Sequence, residues 1–342
     1  MQTDAPAVRR ASGAGPRAAE ALWWGNGAGP TLARTLLLPA EWLYRCITAV
    51  RNGLFSAGIR PAHRAGIPVV SVGNLTVGGA GKTPVARFLA ERFAARGGTP
   101  AILHRGYGSG DEPALHRLWN PAIPVYTGAD RITAASAAAR AGATVAILDD
   151  AFQHRSIARD LDIVLVPAED WTDRPRLLPR GPWREPVSSL RRADLVLVTR
   201  KTATADRAQR VARHIGVAFD IPVAVVALSP AGWRHADAMH AAPSGPALAV
   251  VALARPGPFL HNAAAAGADV AEAIVFRDHH RFSPGDARTI LATAGSRPIV
   301  TSEKEAVKLL QLLPPTQVWI LLQRVRIEEG ETVIDSALDR FA

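Results

Sequence analysis

Apolar residues along this 342-residue chain fall in short runs, separated by helix-period segments and by turns rich in Gly and Pro. A run opening at Val69 leads into a glycine-rich turn and then a helical segment at 85–96. Further buried-strand runs are read at 100–104, 145–148, 162–166 and 194–199, with a helix at 130–141. Strands alternating with helices imply parallel strands with helical crossovers, so this part reads as an α/β, doubly wound parallel sheet. Between 228 and 246 the pattern dissolves into Ala, Pro and Gly, which predicts an irregular junction. Alternation then resumes, with strands at 247–253, 270–276, 298–301 and 317–322 and helices at 256–267, 284–294 and 303–313. The expected domains are therefore a disordered N-terminal extension over 1–34, a core with a leading helix over 35–227, the junction over 228–246, and a second, smaller α/β domain over 247–342.

The leading helix comes from LLLPAEWLYRCITAVRNGLF at 36–55. Leu43, Ile47, Val50 and Leu54 share one side at helical spacing, with Trp42 and Tyr44 as interfacial anchors and Arg45 and Arg51 available for lipid phosphates. The same pattern also suits an ordinary amphipathic helix packed on its own domain. Interrupted by Pro39 and carrying charges, the segment is too polar to span a bilayer, and no run of 18 apolar residues exists elsewhere.

The chemistry concentrates in VVSVGNLTVGGAGKTP at 69–84. Strand, glycine-rich turn and helix in this order make a phosphate cradle: Gly78, Gly79 and Gly81 let backbone N–H groups converge on phosphate oxygens, and the helix start adds its positive dipole end. The candidate nucleotide-binding residues are Thr76, Gly78, Gly79, Ala80, Gly81, Lys82 and Thr83, with Lys82 on the β and γ phosphates and Thr83 on Mg²⁺. Thr76 stands where the usual P-loop pattern has its first glycine. The chain has 36 arginines and four lysines, so a lysine between Gly81 and Thr83 stands out from the composition. The fold expectation is thus a P-loop NTPase-like sheet.

A second acidic feature closes the strand at 145–148, where Asp149 and Asp150 stand in the place where P-loop proteins hold their metal. Gln153, His154 and Arg155 follow, positioned to meet a substrate or phosphate. Arg105, Tyr107, Asp111 and Glu112 are read on a glycine-broken loop at a strand's carboxyl end, and Arg180, Arg184 and Glu185 on the proline-rich loop LLPRGPWREP. TRKT at 199–202 has no following Asp to read guanine, which favours ATP over GTP. In RDHHRF, Asp278, His279 and His280 follow a strand; adjacent histidines are commonly hydrogen-bonded loop residues, and two alone make no metal site.

A net charge of +10 favours an anionic partner, and the absence of aromatics interleaved with the basic clusters argues against nucleic acid in favour of lipid or phosphorylated substrates. The single cysteine, Cys46, excludes an internal disulfide and a cysteine zinc site and suits a cytosolic setting.

GNLTVGGAGKTP, RGYG, GDEP, DDAFQHR, ARDLDIVLV, LLPRGPWREP, RDHH and SEKEAVKL, in this order from about residue 35 to 322, resemble the tetraacyldisaccharide 4′-kinases, the lipid A 4′-kinases of Gram-negative bacteria. The segment at 36–55 also looks like that family's membrane-associated helix. The resemblance implies transfer of the γ-phosphate of ATP to the 4′-hydroxyl of tetraacyldisaccharide 1-phosphate, a lipid substrate. It places the protein on the cytoplasmic face of the inner membrane, peripheral or monotopic, with no nucleic acid and no identifiable protein partner. Asp111 would be the base, assisted by His279 from the second domain. Thr83, Asp149, Asp150 and Glu112 would hold Mg²⁺, while Arg105, Tyr107, Gln153, His154, Arg184 and Glu185 would contact the substrate.

Four features depart from the family pattern. Only Ser109 separates RGYG from GDEP, His104 replaces a serine, Ala151 a glycine and Glu305 an aspartate. None removes a group the chemistry requires. A rival reading is a P-loop ATPase or GTPase that switches partners; the second lysine that marks deviant phosphate loops of that kind is replaced here by Val77.

Overall fold

The computed structural model describes residues 6–11, 18–106 and 111–341. In chain order its elements are β1 (Ala7–Arg10), α1 (Ala18–Trp24), α2 (Ala28–Leu36), α3 (Leu38–Ser56), β2 (Val69–Asn74), α4 (Lys82–Ala95), β3 (Pro100–His104), α5 (Asp111–Trp119), β4 (Val125–Thr127), α6 (Arg131–Arg140), β5 (Val145–Asp149), β6 (Leu161–Pro167), β7 (Leu195–Arg200), α7 (Ala205–Phe219), β8 (Val223–His235), β9 (Ala238–His240), β10 (Pro246–Val251), α8 (Gly257–Ala265), β11 (Asp269–Val275), α9 (Pro284–Ala294), β12 (Ile299–Ser302), α10 (Glu303–Leu309), β13 (Val318–Glu329) and α11 (Glu331–Leu338).

The chain divides into two compact units. The larger takes Ala18–Gly106, His116–Leu228 and Val325–Ala342; the smaller takes Met1–Arg17, Tyr107–Leu115 and Ser229–Arg324. In the larger unit the strands lie in the order β8-β7-β6-β2-β5-β3-β4, all pairs parallel. Alternate side chains of each strand serve opposite faces. Val70, Val72, Ile163 and Leu165 pack with Val85, Leu89 and Phe93 of α4 and with Ile334 and Leu338 of α11. On the other face Val164, Val166, Val196 and Val198 meet Ala208, Val211 and Ile215 of α7, while Ala101, Leu103, Ala146 and Leu148 meet Ala135 and Ala138 of α6. Helices over both faces explain why these strands read as nearly unbroken apolar runs. β2 lies between β5 and β6, and the chain passes from β5 to β6 across it, so β2 ends at a topological switch point, where open α/β sheets bind ligands.

The smaller unit is built on the parallel order β1-β11-β10-β12-β13. Leu248 and Val250 pack with α9 and α10, and Ala247, Ala249 and Val251 with α8 and Trp233.

Several boundaries differ from the sequence expectation. The extension expected to be disordered over 1–34 contains β1, which pairs with β11, and α1 and α2. The two helices are tied down by polar contacts that hydropathy does not reveal: Trp23 Nε1 donates to Pro179 O at 2.8 Å, and Arg34 donates to Leu22 O and Gly25 O at 2.7 and 2.9 Å. The expected irregular junction at 228–246 is largely strand. β8 runs through it and turns into β9 across Ala236 and Asp237, both at positive φ (44° and 67°), the backbone of a two-residue hairpin formed here without Gly or Asn. Finally, the end of the chain from Val325 returns to the larger unit instead of completing the smaller one, with Val325 and Ile327 packed against the core beside α4.

Candidate active site

The phosphate loop connects β2 to α4. Gly78 and Gly81 have φ of 113° and 88°, values that favour glycine, and Gly81 is the residue before the helix. A Cβ at Gly81 would also come within 2.2 Å of Leu228 Cδ1, so a side chain here would both strain the backbone and displace Leu228. The helix begins at Lys82, three residues before the predicted start at 85, which puts Lys82 and Thr83 in its first turn.

Lys82 Nζ donates to Asn74 Oδ1 at 3.2 Å and lies 3.6 Å from Asp150 Oδ1. Asn74 also donates from Nδ2 to Thr76 Oγ1 at 3.1 Å and accepts at its carbonyl from Gln153 Nε2 at 3.0 Å. This fully buried asparagine connects the loop, the lysine and the segment after β5. The sequence reading had not singled it out, although an amide closing an otherwise apolar strand was the available signal.

Asp149 ends β5 and Asp150 follows at φ 55°. The turn fits beneath β2 because Gly73 leaves room: a Cβ there would lie 2.6 Å from Phe152 N. Burial opposes ionisation of Asp150, but Lys82 and Arg184 outweigh it and hold the carboxyl below the usual range. Arg184 NH1 lies 2.9 Å from Asp150 Oδ1 and 3.3 Å from Gln153 Oε1. Asp149, 1% exposed, has Oδ2 at 3.2 Å from His116 Nε2, and its backbone carbonyl accepts from Arg131 NH2 at 3.2 Å. Here too burial raises the carboxyl, and the His116 hydrogen bond with the charges of His116, His104 and Lys82 brings it below its ordinary value. Asp149 Oδ1 is buried with no hydrogen-bond partner.

The proline-rich loop is attached to the phosphate loop: Arg184 N donates to Leu75 O and Val77 N to Pro182 O, each at 2.7 Å. That attachment seats Arg184 on Asp150. Glu185, expected among the substrate contacts, is instead 1% exposed and paired with Asn52 Nδ2 and Arg192 NH2, both at 2.9 Å, so its carboxylate anchors α3. His154 is half-buried and 3.1 Å from Ser156 Oγ; burial, then the neighbouring Arg131 and Arg105, push its pKa down. Arg105 is exposed at the end of β3. Tyr107 lies outside the described residues.

Asp111 and Glu112 open helix α5 where a loop was expected, since DEP at a helix start supplies acids to the positive dipole end and a proline that gives up no needed N–H. They belong to the smaller unit, the same unit as His279, and not to the first domain as the sequence suggested. Glu112 Oε1 lies 3.6 Å from Lys304 Nζ, Lys304 lies 3.7 Å from Asp278 Oδ1, and Asp278 Oδ2 lies 3.8 Å from His279 Nε2. This chain brings the start of α5 and the loop after β11 together within one unit. His279 sits at φ 60°, an uncommon backbone for a non-glycine residue. His280 turns away to Asp286 at 3.1 Å, so the two adjacent histidines have different partners.

Below this cluster Glu305 is wholly buried, accepts from Ser302 Oγ, and is pushed up by burial from 4.5 to about 7. A folded pKa above the unfolded one means the folded state holds the proton more tightly. Stability from this group is therefore present below about 4.5 and lost as pH rises towards about 7. Glu305→Gln is expected to gain roughly 3 kcal/mol near pH 8 and little near pH 4, read as melting midpoints across pH. An equal gain at both ends would show that the carboxyl is not poised.

Helix α3 presents its faces in reverse. Leu32 and Leu36 of α2 with Trp42, Leu43, Ile47 and Val50 of α3 are 58–71% exposed. The polar side faces the protein: Glu41 accepts from Leu177 N at 2.8 Å and pairs with Arg180 at 3.0 Å, Tyr44 Oη donates to Arg184 O at 2.9 Å, and Arg51 NH2 donates to Gln153 O at 2.5 Å. Tyr44 and Arg51, expected as outward anchors, thus hold the helix against the unit, and Arg45 sits 3.6 Å from Glu41. No helix among the described residues is long and apolar enough to cross a membrane.

The family model described as Tetraacyldisaccharide-1-P 4'-kinase matches residues 33–109 and 108–341. A tetraacyldisaccharide 4'-kinase of Anaeromyxobacter dehalogenans (strain 2CP-C) is 43% identical over 359 residues, covering 93% of this chain and 94% of the relative. That of Halorhodospira halophila is 35% identical over 313 residues, covering 86% and 89%. Among solved structures, LpxK from Aquifex aeolicus, described as an "apo" form in complex with ATP, matches with a TM-score of 0.71 at 27% identity, covering 90% of this chain and 99% of that one.

Proposed function

The chain belongs to the tetraacyldisaccharide-1-P 4'-kinase family, and from that membership we infer that it transfers the γ-phosphate of ATP to the 4′-hydroxyl of tetraacyldisaccharide 1-phosphate, a step of lipid A biosynthesis. The observation that carries the reading is Lys82 at the head of α4, held between Asn74 and Asp150 behind a loop whose glycines take φ that favours them. Phosphoryl transfer asks a protein chiefly for positioning and charge neutralisation, and this is a cation fixed beside a backbone cradle.

The remaining roles follow from residue chemistry. Backbone N–H groups of the Gly78–Thr83 stretch would receive the phosphates, with Thr76 supporting the loop through Asn74. Mg²⁺ characteristically takes one or two carboxylates together with substrate phosphates and waters. Thr83, Asp149 and Asp150 suit it, and the unpartnered Asp149 Oδ1 has capacity for a ligand or its water. When bound, the ion would neutralise charge on the phosphates. Asp111 would accept the proton of the 4′-hydroxyl, with His279 supporting it, and Glu112 would assist from the same helix turn. Arg184, Gln153, His154, Arg105 and Tyr107 would meet the disaccharide and its phosphate; the buried position of Glu185 supports an anchoring role for it instead.

A membrane surface is the natural source of the acylated substrate. The outward apolar stripe of α2 and α3 supports docking on the cytoplasmic leaflet of the inner membrane, because a helix that turns its polar side inward has its apolar side left for lipid. Leu43→Asp combined with Ile47→Asp is expected to reduce partitioning onto anionic phospholipid vesicles by at least about 100-fold. The melting midpoint should hold, since neither side chain is buried. Unchanged vesicle binding would remove α3 from the membrane contact.

The test of the activity itself is transfer of labelled γ-phosphate from ATP to purified tetraacyldisaccharide 1-phosphate in detergent. Labelled bisphosphate is the expected product; folded, ATP-binding protein that labels no lipid would overturn the assignment.

A further inference from the structure

Only four lysines occur among 40 basic residues, and three besides Lys82 remain. Lys304 and Lys308 belong to the cluster around His279 and His280. Lys201 lies elsewhere, just after β7, and it too reaches the phosphate loop: its Nζ donates to Gly79 O at 2.7 Å. One residue pair along, the buried Thr199 Oγ1 donates to Ala80 O at 3.2 Å. The end of β7 therefore holds two consecutive carbonyls of the loop.

A trans peptide points its N–H opposite to its C=O. Fixing the Gly79 and Ala80 carbonyls towards β7 consequently fixes the N–H groups of Ala80 and Gly81 away from it. Gly81 N–H is one of the donors that a phosphate cradle must present, and Ala80 N–H is engaged by Gly78 O at 2.9 Å, a bond internal to the loop. A loop of Gly78, Gly79, Ala80 and Gly81 has wide backbone freedom, and ordering it at the moment of binding would consume affinity.

The lysine is itself held in place. Glu169 Oε1 accepts from the backbone N–H groups of Lys201, Thr202 and Ala203 at 2.5, 2.8 and 3.0 Å. Three converging amides make a rigid base for a side chain that would otherwise be mobile.

We propose that Lys201, with Thr199, is a positioning residue that clamps the phosphate loop from the β7 side and so preforms the nucleotide site. It deepens the kinase reading, resting on the assignment of this loop to ATP. Lys201 acts on the loop's carbonyls and leaves the chemistry to Lys82 and the carboxylates. Its removal thus loosens ATP binding and leaves the bound complex turning over normally.

The experiment measures ATP affinity by calorimetry on the full chain, the KM for ATP and kcat in lipid phosphorylation, and the melting midpoint. Lys201→Met is expected to weaken ATP binding about tenfold, the loss of one charge-assisted hydrogen bond, and uncharged Thr199→Val about threefold. For both, KM rises, kcat stays within about twofold and the midpoint falls by no more than about 4 °C. Thr199→Ser, which keeps the hydroxyl, should restore affinity. Two results would overturn the clamp. One is Lys201→Met binding ATP as the wild type does. The other is weakened Lys201→Met beside a normal Thr199→Val, which would make Lys201 a point charge attracting phosphates. Wild-type protein that fails to bind ATP at all would instead overturn the kinase reading beneath it.

Discussion

Asp111→Asn is expected to lower kcat for lipid phosphorylation by about 10²–10⁴-fold while ATP affinity stays within about twofold. The amide keeps the size of the side chain and is tolerated at a helix start, but it has no basic oxygen to take the proton of an attacking hydroxyl. The structure gives a reason for the split between turnover and binding. The loop, Lys82 and the Asp149–Asp150 turn are built by the larger unit, whereas Asp111 opens α5 in the smaller one with Glu112, Lys304, Asp278 and His279. Replacing Asp111, the proposed base, therefore changes none of the residues proposed to hold the nucleotide. His279→Gln should lower kcat less. If both side chains serve one proton, adding it to Asp111→Asn should cost little more than Asp111→Asn alone, since residues acting as a unit are far from additive. Steady-state kinetics with calorimetry of ATP binding checks this; wild-type kcat in Asp111→Asn, or a parallel loss of ATP affinity, would remove the residue from the role of base.

The parts of this molecule that were legible in the sequence are those where one local pattern has one structural solution. Gly78, Gly81 and Lys82 after an apolar strand were read as a strand, turn and helix, and the structure has β2, a turn with Gly78 and Gly81 at positive φ, and α4 opening at Lys82. Asp149 and Asp150 at the end of an apolar run likewise give a strand-end carboxylate pair. Periodicity on α3 was also correct as a period, but it defines two faces without saying which is inside. Glu41, Tyr44 and Arg51 settle that through partners more than a hundred residues away, at Leu177, Arg184 and Gln153. Asn74 and His116 were missed for a related reason: each takes its meaning from a contact made by the fold, to Lys82 in one case and to Asp149 in the other. β13 was cut short at 322 because its later residues, QRVRIEE, look polar. In the structure they carry the chain back to the larger unit, where Gly330 takes φ 78° and its missing Cβ leaves space for Ala224. Glu305 takes its character from the fold alone: its carboxyl lies wholly inside, where burial pushes it up to about 7.

Lys82→Met should lower kcat/KM for ATP by about 10²–10³-fold, the range found when one preorganised electrostatic group is withdrawn from a transition state. Lys82 has a side chain only 13% exposed, so its charge acts with little screening by water. Asn74 Oδ1 at 3.2 Å and Asp150 Oδ1 at 3.6 Å fix the ammonium without neutralising it twice over. The fold should survive the change, because Asp150 keeps Arg184 at 2.9 Å and Asn74 keeps Thr76 and Gln153. A fall in melting midpoint of no more than about 4 °C is expected, while the stabilisation that added ATP gives the wild type should largely vanish. Lys82→Arg is the sharper variant. This chain uses arginine almost everywhere else, 36 times against four lysines, yet a planar guanidinium is wider than an ammonium and binds oxygens through a rigid fork. In the space between Asn74 and Asp150 it should recover little of the lost activity. Full activity in Lys82→Arg would mean that any positive charge suffices and that the geometry around Asn74 is incidental; full activity in Lys82→Met would remove the lysine from phosphate transfer altogether.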